Sequence, residues 1–165
     1  MAHIHNDDFE MAKSDPQALF AFRGTPRKAL FNPGDRLFRF TSQPQGTFRG
    51  NEIFSSPWWH AQSTFNAIVR TANATGNSVS DAARSGLAVS PDWNPTMEWL
   101  VIIELTKPVY GWVGPARHQP VKDGDRSALF MGNADQAYVP GLATGGKGMS
   151  SPFANIYYYG SMMSV

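Results

Sequence analysis

The sequence predicts a single α+β domain with a split, mostly antiparallel β-sheet core and flanking short helices. Three observations predict it. A chain of 165 residues suits one well-buried domain over residues 1–165 and leaves no room for a second. Strand-like segments follow one another without intervening helices through the second half, an order that antiparallel pairing explains better than a doubly wound sheet. Hydrophobic residues at 42% and aromatics at 13% exclude a disordered chain.

The elements follow in order. Residues 1–13, MAHIHNDDFEMAK, lack the basic region and apolar run of a secretory signal and read as a mobile N-terminal tail. Ser14, Asp15 and Pro16 mark a helix start, with Leu19, Phe20 and Phe22 as apolar anchors and an end near Gly24. The turn NPGD leads into RLFRFTS, a strand that alternates Leu37 and Arg39 with Phe38 and Phe40. EIFSS reads as a second short strand, and Ser56-Pro57 as the cap and first turn of a helix. Its stripe is Trp58, Ala61, Phe65, Ile68, Val69 and Ala72, which sends Trp58 into the core and turns Trp59 away toward a cleft. A short helix ending at Gly86 follows. MEWLVIIEL is the clearest strand, its continuous apolar run predicting cover on both faces. VYGWVG, ALFMG, QAYVPG and NIYYYG supply further strands, with KDGD as a turn and a mobile loop between Gly141 and Ser151.

Several chemistries are excluded or weak. Fourteen basic against thirteen acidic residues give a net charge of +1, so no global field recruits nucleic acid or anionic membrane. The absence of cysteine removes disulfides, thiolate nucleophiles and cysteine-ligated zinc. The nucleophile elbow GxSxG is absent, and TGGKGMS lacks the spacing of a phosphate loop. His3 and His5 are spaced to share a metal ion but sit in the expected tail, so no metal is predicted. Glu98, Glu104, Asp123, Asp125 and Asp135 show no spacing that pairs carboxylates for hydrolysis. No run approaches the roughly eighteen apolar residues of a membrane span. The expectation is a cytoplasmic protein, or one exported by a specialised route.

One constellation is more specific. LFRF places Arg39 on a strand, IFSSPWW brings Ser55 and Ser56 to a helix start, and GNADQAYVPG begins a late strand with Gln136. Arginine offers a fork of donors to a diphosphate, hydroxyls at a helix start orient ribose, and an aromatic plane stacks a base. These are the residue types that bind a pyrophosphate-linked dinucleotide.

On LFRF, FSSP and ADQAY, in that order over residues 36–140, the chain resembles the ADP-ribosyltransferase-like superfamily of NAD-consuming enzymes, especially its small bacterial toxin domains. The resemblance implies NAD as substrate and cleavage of the nicotinamide–ribose bond. It assigns Arg39, Ser55 and Gln136 to catalysis, and Phe40, Thr41, Ser56, Trp58, Trp59 and Tyr138 to NAD binding. It makes Gly114 to Gly132 the loop before the catalytic strand, where Arg117, His118 and Gln119 contact an acceptor. Two departures bear on activity: Ser-Ser-Pro lacks the usual central threonine, and Asp135-Gln136 stands where transferases acting on arginine carry two glutamates. Glutamine cannot act as a base, although it can hydrogen-bond a ribose on which positive charge develops. Hydrolysis is therefore expected over transfer, and transfer to a protein or nucleic acid target is the alternative. A toxin implies a cognate immunity protein and delivery by a specialised secretion system into a target-cell cytosol. A third reading is a non-catalytic interaction domain on the same fold, presenting Trp93, Trp99 and Trp112.

Overall fold

The expected alternation of short strands becomes one seven-stranded antiparallel sheet in the computed structural model. It describes residues 3–44, 46, 53–87, 96–117, 119–123, 126–130, 134–143 and 150–162. The strands are β1 (Arg27–Phe31), β2 (Arg36–Thr41), β3 (Trp58–Ala61), β4 (Trp99–Leu105), β5 (Val109–Pro115), β8 (Asp135–Tyr138) and β9 (Ala154–Ser161). Their order is β1-β5-β8-β3-β2-β4-β9, and β6 (Gln119–Asp123) and β7 (Arg126–Phe130) form a separate hairpin. Four short helices, α1 (Met11–Ser14), α2 (Pro16–Leu19), α3 (Gln62–Thr75) and α4 (Val79–Leu87), complete the α+β fold. Trp93, His118 and residues 144–149 lie outside the described residues. Among the described residues, no helix is long and apolar enough to cross a membrane.

The split in the sheet is made by β3. Its first two residues pair with β8, Trp58 opposite Tyr138 and Trp59 opposite Ala137, while His60 and Ala61 pair with Phe38 and Leu37 of β2. One half is therefore β1, β5 and β8, the other β2, β4 and β9. Both halves turn one face onto a shared core that joins Leu37, Val101 and Ile103 to Val113, Ala137 and Val139. The other face of the second half carries Phe38, Phe40 and Leu100 under α3 and α4. On the other face of the first half, Trp112 and Tyr138 pack with Met11, Ala18 and Phe22 of the N-terminal segment. The nearly continuous apolar run of β4 follows from this: Leu100 faces the helices while Val101 and Ile103 face the shared core.

Three expectations change. Ser56-Pro57 does not start a helix; residues 58–61 are a strand, and α3 begins at Gln62. Two adjacent tryptophans explain the outcome. A strand sends successive side chains to opposite faces, and here each face has a core to receive a ring, whereas a helix would leave the two rings about 100° apart on one flank. The helical stripe survives the shift, with Thr64, Ile68 and Ala72 buried at intervals of four, and Gly76 closes the helix at φ 72°. Second, Ile53 and Phe54 are buried in a turn and not in a strand. Third, residues 3–13 do not trail as a mobile tail. His5 donates from Nε2 to the Pro140 carbonyl at 3.2 Å, Asn6 donates from Nδ2 to the Tyr110 and Pro140 carbonyls at 3.0 and 2.9 Å, and Met11 is buried. The predicted helix start at residues 14–16 is present, but Asp15 caps it, its Oδ1 accepting from Ala18 N at 3.3 Å with Pro16 in the first position.

Candidate functional site

All the site-residue candidates except Phe40 fall into two groups on opposite sides of the sheet. In β2, Arg39 shares the face of Leu37, whose side chain lies in the shared core. Beyond the Phe38–His60 pair, β3 leaves β2, and the Arg39 side chain occupies the divergence. Its Nε donates to the Trp58 carbonyl at 2.9 Å, Nη2 to the Ser56 carbonyl at 2.6 Å, and Nη1 to the Ile53 carbonyl. The guanidinium thus satisfies backbone acceptors that sheet pairing no longer reaches. Its Cζ lies 3.6 Å from the centroid of the Trp59 ring, a cation–π contact.

Arg39 has no carboxylate partner among the described residues. Burial of a cation without a counter-charge pulls its pKa down to about 9, which still leaves it protonated at neutral pH. Three of its five donors are committed to carbonyls, so two have no acceptor among the described residues. Trp59 is 2% exposed, and its Nε1 is buried with no hydrogen-bond partner among the described residues. A half-buried cation and an indole donor without a partner, in stacked contact, leave this side of the split short of acceptors among the described residues.

Other groups frame the same place. Ser56 gives its carbonyl to Arg39, and its Oγ accepts from Trp58 N at 3.4 Å. Ser55 is exposed on the turn just before it. Thr41, two residues beyond Arg39 in β2, accepts from Gln43 N at 3.1 Å through Oγ1. Tyr159 of β9 donates its hydroxyl to the Gln43 carbonyl and sets its ring edge-on to Trp99. Burial raises the Tyr159 pKa and the positive Arg39 opposes that rise, which places the two groups in electrostatic contact. Tyr159 was not expected from the sequence; the only signal is the run of three tyrosines, which does not say which one turns inward.

The second group lies across the sheet. Tyr138 and Gln136 share a face of β8, opposite that of Ala137, which lies in the shared core with Trp59. Gln136 donates from Nε2 to the Ala21 carbonyl at 2.7 Å, and Tyr138 donates its hydroxyl to Asp15 Oδ2 at 2.8 Å. Burial and the Asp15 carboxylate push the Tyr138 pKa up. Trp58 packs edge-on against Tyr138, with ring centroids 5.1 Å apart, and tilted against Phe22 at 5.6 Å. Residues 15–23 therefore form a strap across this face. It is fastened again by Arg23 N to the Pro115 carbonyl at 2.8 Å and Arg117 N to the Ala21 carbonyl at 2.9 Å. The tryptophan pair is thus reversed from its expected roles: Trp59 is the buried core ring against Arg39, and Trp58 is the half-buried one beside Gln136. Phe40 joins neither group. It is buried under α3, stacked on His60 with centroids 5.3 Å apart.

His60 completes that third cluster. It is 2% exposed between Phe38, Phe40 and Phe65, and its Nε2 has no partner among the described residues. Burial, reinforced by the charge of Arg39, lowers its pKa to about 3, so it stays neutral and apolar in character at physiological pH. Among the described residues no three His, Asp or Glu side chains are grouped to hold a metal ion. The region expected to be an acceptor loop holds the β6–β7 hairpin, and Arg117 just before it spends Nε on the Phe22 carbonyl at 3.2 Å.

No protein-family model and no curated protein matches the chain. Two solved structures are similar in fold. One is Rhs1-CT, solved in complex with its cognate immunity protein RhsI1, at 14% identity and a TM-score of 0.50, covering 85% of this chain and 83% of that one. The other is Tne2, solved in complex with Tni2, at 12% identity and a TM-score of 0.45, covering 85% of this chain and 95% of that one.

Proposed function

We propose that the chain is a toxin-type effector domain that consumes NAD, cleaving the nicotinamide–ribose bond, with its binding site on the Arg39 side of the split. The observation that carries the reading is the cation without a counter-charge: Arg39, half-buried and with no carboxylate partner among the described residues, stacked on Trp59, whose indole N–H has no acceptor among them. A pyrophosphate supplies the missing negative charge and acceptor oxygens. The fold likeness to Rhs1-CT, a protein solved with an immunity protein, supports the effector part of the proposal and a protein inhibitor as partner.

In this reading Arg39 anchors the diphosphate with its two remaining donors, and Ser55 and Ser56 orient the ribose. Thr41 and Tyr159 fix the wall opposite. The glycosidic bond breaks with its electron pair leaving on nicotinamide. Water bonds to the ribose carbon and gives up a proton, and free ADP-ribose results. The positive charge developing on the ribose is met by dipoles and not by a base, as expected of a site without a carboxylate among its named residues. Gln136 faces the other side of the sheet, so the reading rests on Arg39, and Gln136→Ala separates the two groups. Loss of turnover in a folded Gln136→Ala variant assigns the amide to the chemistry; retained turnover assigns it to holding the strap.

The test is nicotinamide release from NAD by the purified chain, with Arg39→Lys as the control that keeps charge and removes the fork. Turnover by the wild type and its loss in Arg39→Lys are expected. A wild-type protein that neither binds NAD in calorimetry nor releases nicotinamide overturns the proposal. Labelled ADP-ribose on a protein or nucleic acid in lysate, without free ADP-ribose, moves the activity to transfer.

A further inference from the structure

We propose that Trp99 is the wall on which the purine of the dinucleotide stacks, one sheet row beyond Arg39. The aromatics that the sequence offered for this task are placed elsewhere. Phe40 lies under α3, Trp58 and Tyr138 lie across the sheet, and Trp59 is buried against the Arg39 guanidinium. Trp99 stands where they do not. Its side chain leaves β4 on the face of Val101 and Ile103, which is also the face of Arg39 and Thr41 in β2. Arg39 pairs with Val101 and Thr41 with Trp99, so the indole stands one cross-strand row, about 7 Å of strand, beyond the cation. Trp99 is half-buried and, among the described residues, belongs to none of the three apolar cores. It meets one ring there, Tyr159, edge-on with centroids 6.1 Å apart, and Tyr159 is itself fixed by its hydroxyl to the Gln43 carbonyl.

A tryptophan steadied by one neighbour and outside the cores keeps aromatic surface for a flat ligand ring. The order along this face is cation, hydroxyl, indole. Arg39 comes first, then Thr41, whose Oγ1 accepts from Gln43 N and keeps its own proton to donate, and then Trp99 across from it. A nucleotide carries phosphate, ribose and base in the same order. Charge decides which base of NAD belongs here. The nicotinamide ring of NAD is a cation, and Arg39 has no carboxylate among the described residues to offset a second positive charge so near. A cation–π contact to a half-exposed indole is the smaller of the two effects. The purine is neutral and meets no such repulsion. This assignment rests on Arg39 as the diphosphate anchor, and it adds the residue that holds the base.

Calorimetry of the full chain with ADP, inorganic pyrophosphate and nicotinamide mononucleotide tests it. ADP should bind more tightly than either of the others. Trp99→Leu should weaken ADP by about tenfold or more and leave pyrophosphate unchanged, whereas Arg39→Lys should weaken both. Trp99→Phe, which keeps an aromatic face, should recover most of the loss. In turnover, Trp99→Leu should raise KM for NAD by a similar factor with kcat near that of the wild type. Unchanged ADP affinity in a Trp99→Leu chain that still binds pyrophosphate overturns the assignment, and so does a loss confined to nicotinamide mononucleotide or a wild type that binds ADP no better than pyrophosphate. Should Trp99→Leu not fold, quenching of the indole fluorescence by ADP that persists in full in Trp99→Phe overturns it equally. A chain that binds ADP through Trp99 but releases no nicotinamide from NAD defeats the proposed reaction and leaves the base subsite standing. A chain that cleaves NAD with the same KM in wild type and Trp99→Leu does the reverse.

Discussion

Arg39 and Gln136 are both polar side chains on sheet strands, both hydrogen-bonded to main-chain carbonyls, and both expected at one site; they sit on opposite faces. Arg39 is charged and stacked, and it stands in for sheet pairing where β2 and β3 part. Gln136 is neutral and secures a strap that closes an aromatic face. The contrast teaches that residue type and order along the chain do not establish a shared site when strand parity is unknown. A shift of one residue moves a side chain through the sheet.

Perturbing each side sharpens the comparison. The largest expected effect is on the strap: Phe22 is fully buried, and Phe22→Ala should cost about 3–5 kcal/mol in urea unfolding while freeing the Gln136 face. Arg39→Ala removes the donor to three carbonyls and should cost about 2–4 kcal/mol, together with NAD binding. A thermal midpoint equal to wild type would show that water replaces the guanidinium without loss. His60 tests the same region by pH. Its pKa is lowered from 6.5 to about 3 in the folded state, so the unfolded state takes up the proton first as pH falls. Stability should be intact above pH 6.5 and decline toward pH 3, losing about 3 kcal/mol by pH 4. His60→Phe should flatten that decline in acid-unfolding curves, and an unchanged slope would assign acid sensitivity elsewhere. The smallest effect is expected of Tyr138→Phe, which removes one hydrogen bond to Asp15 and should cost about 1 kcal/mol, read as a small shift in the urea midpoint.

Much of the fold was legible because local patterns agreed with the global arrangement. The alternation of Leu37, Phe38, Arg39 and Phe40 marks β2, and the apolar run of Trp99 to Leu105 marks β4 with a core on each face. The later strands stand between turn residues. The segment before Trp58 was misread because Ser-Pro is a strong local helix signal, and only tertiary structure shows that each face of β3 has a core waiting for a ring. β1 was missed for a related reason: Arg27 and Lys28 in a five-residue edge strand hide its alternation. Within the site, the stacking of Arg39 on Trp59 depends on residues 58–61 forming a strand, which the helix reading of that segment did not supply. The displacement of Gln136 could not be seen, since it depends on how β8 registers with a strand more than seventy residues earlier.

That register gives β3 a consequence for how the protein assembles. Four residues supply the edge that β2 recruits from about twenty positions upstream and the edge that β8 recruits from far downstream. The half containing β2 and β4 can zip early, but the other half cannot be joined to it until residues 135–138 have arrived and found Trp58 and Trp59. Such long-range closure belongs to slow folding. The two-rung seam between β3 and β8 is therefore the place where a partly folded chain should still be open, with the Trp59 ring reporting its closure by fluorescence.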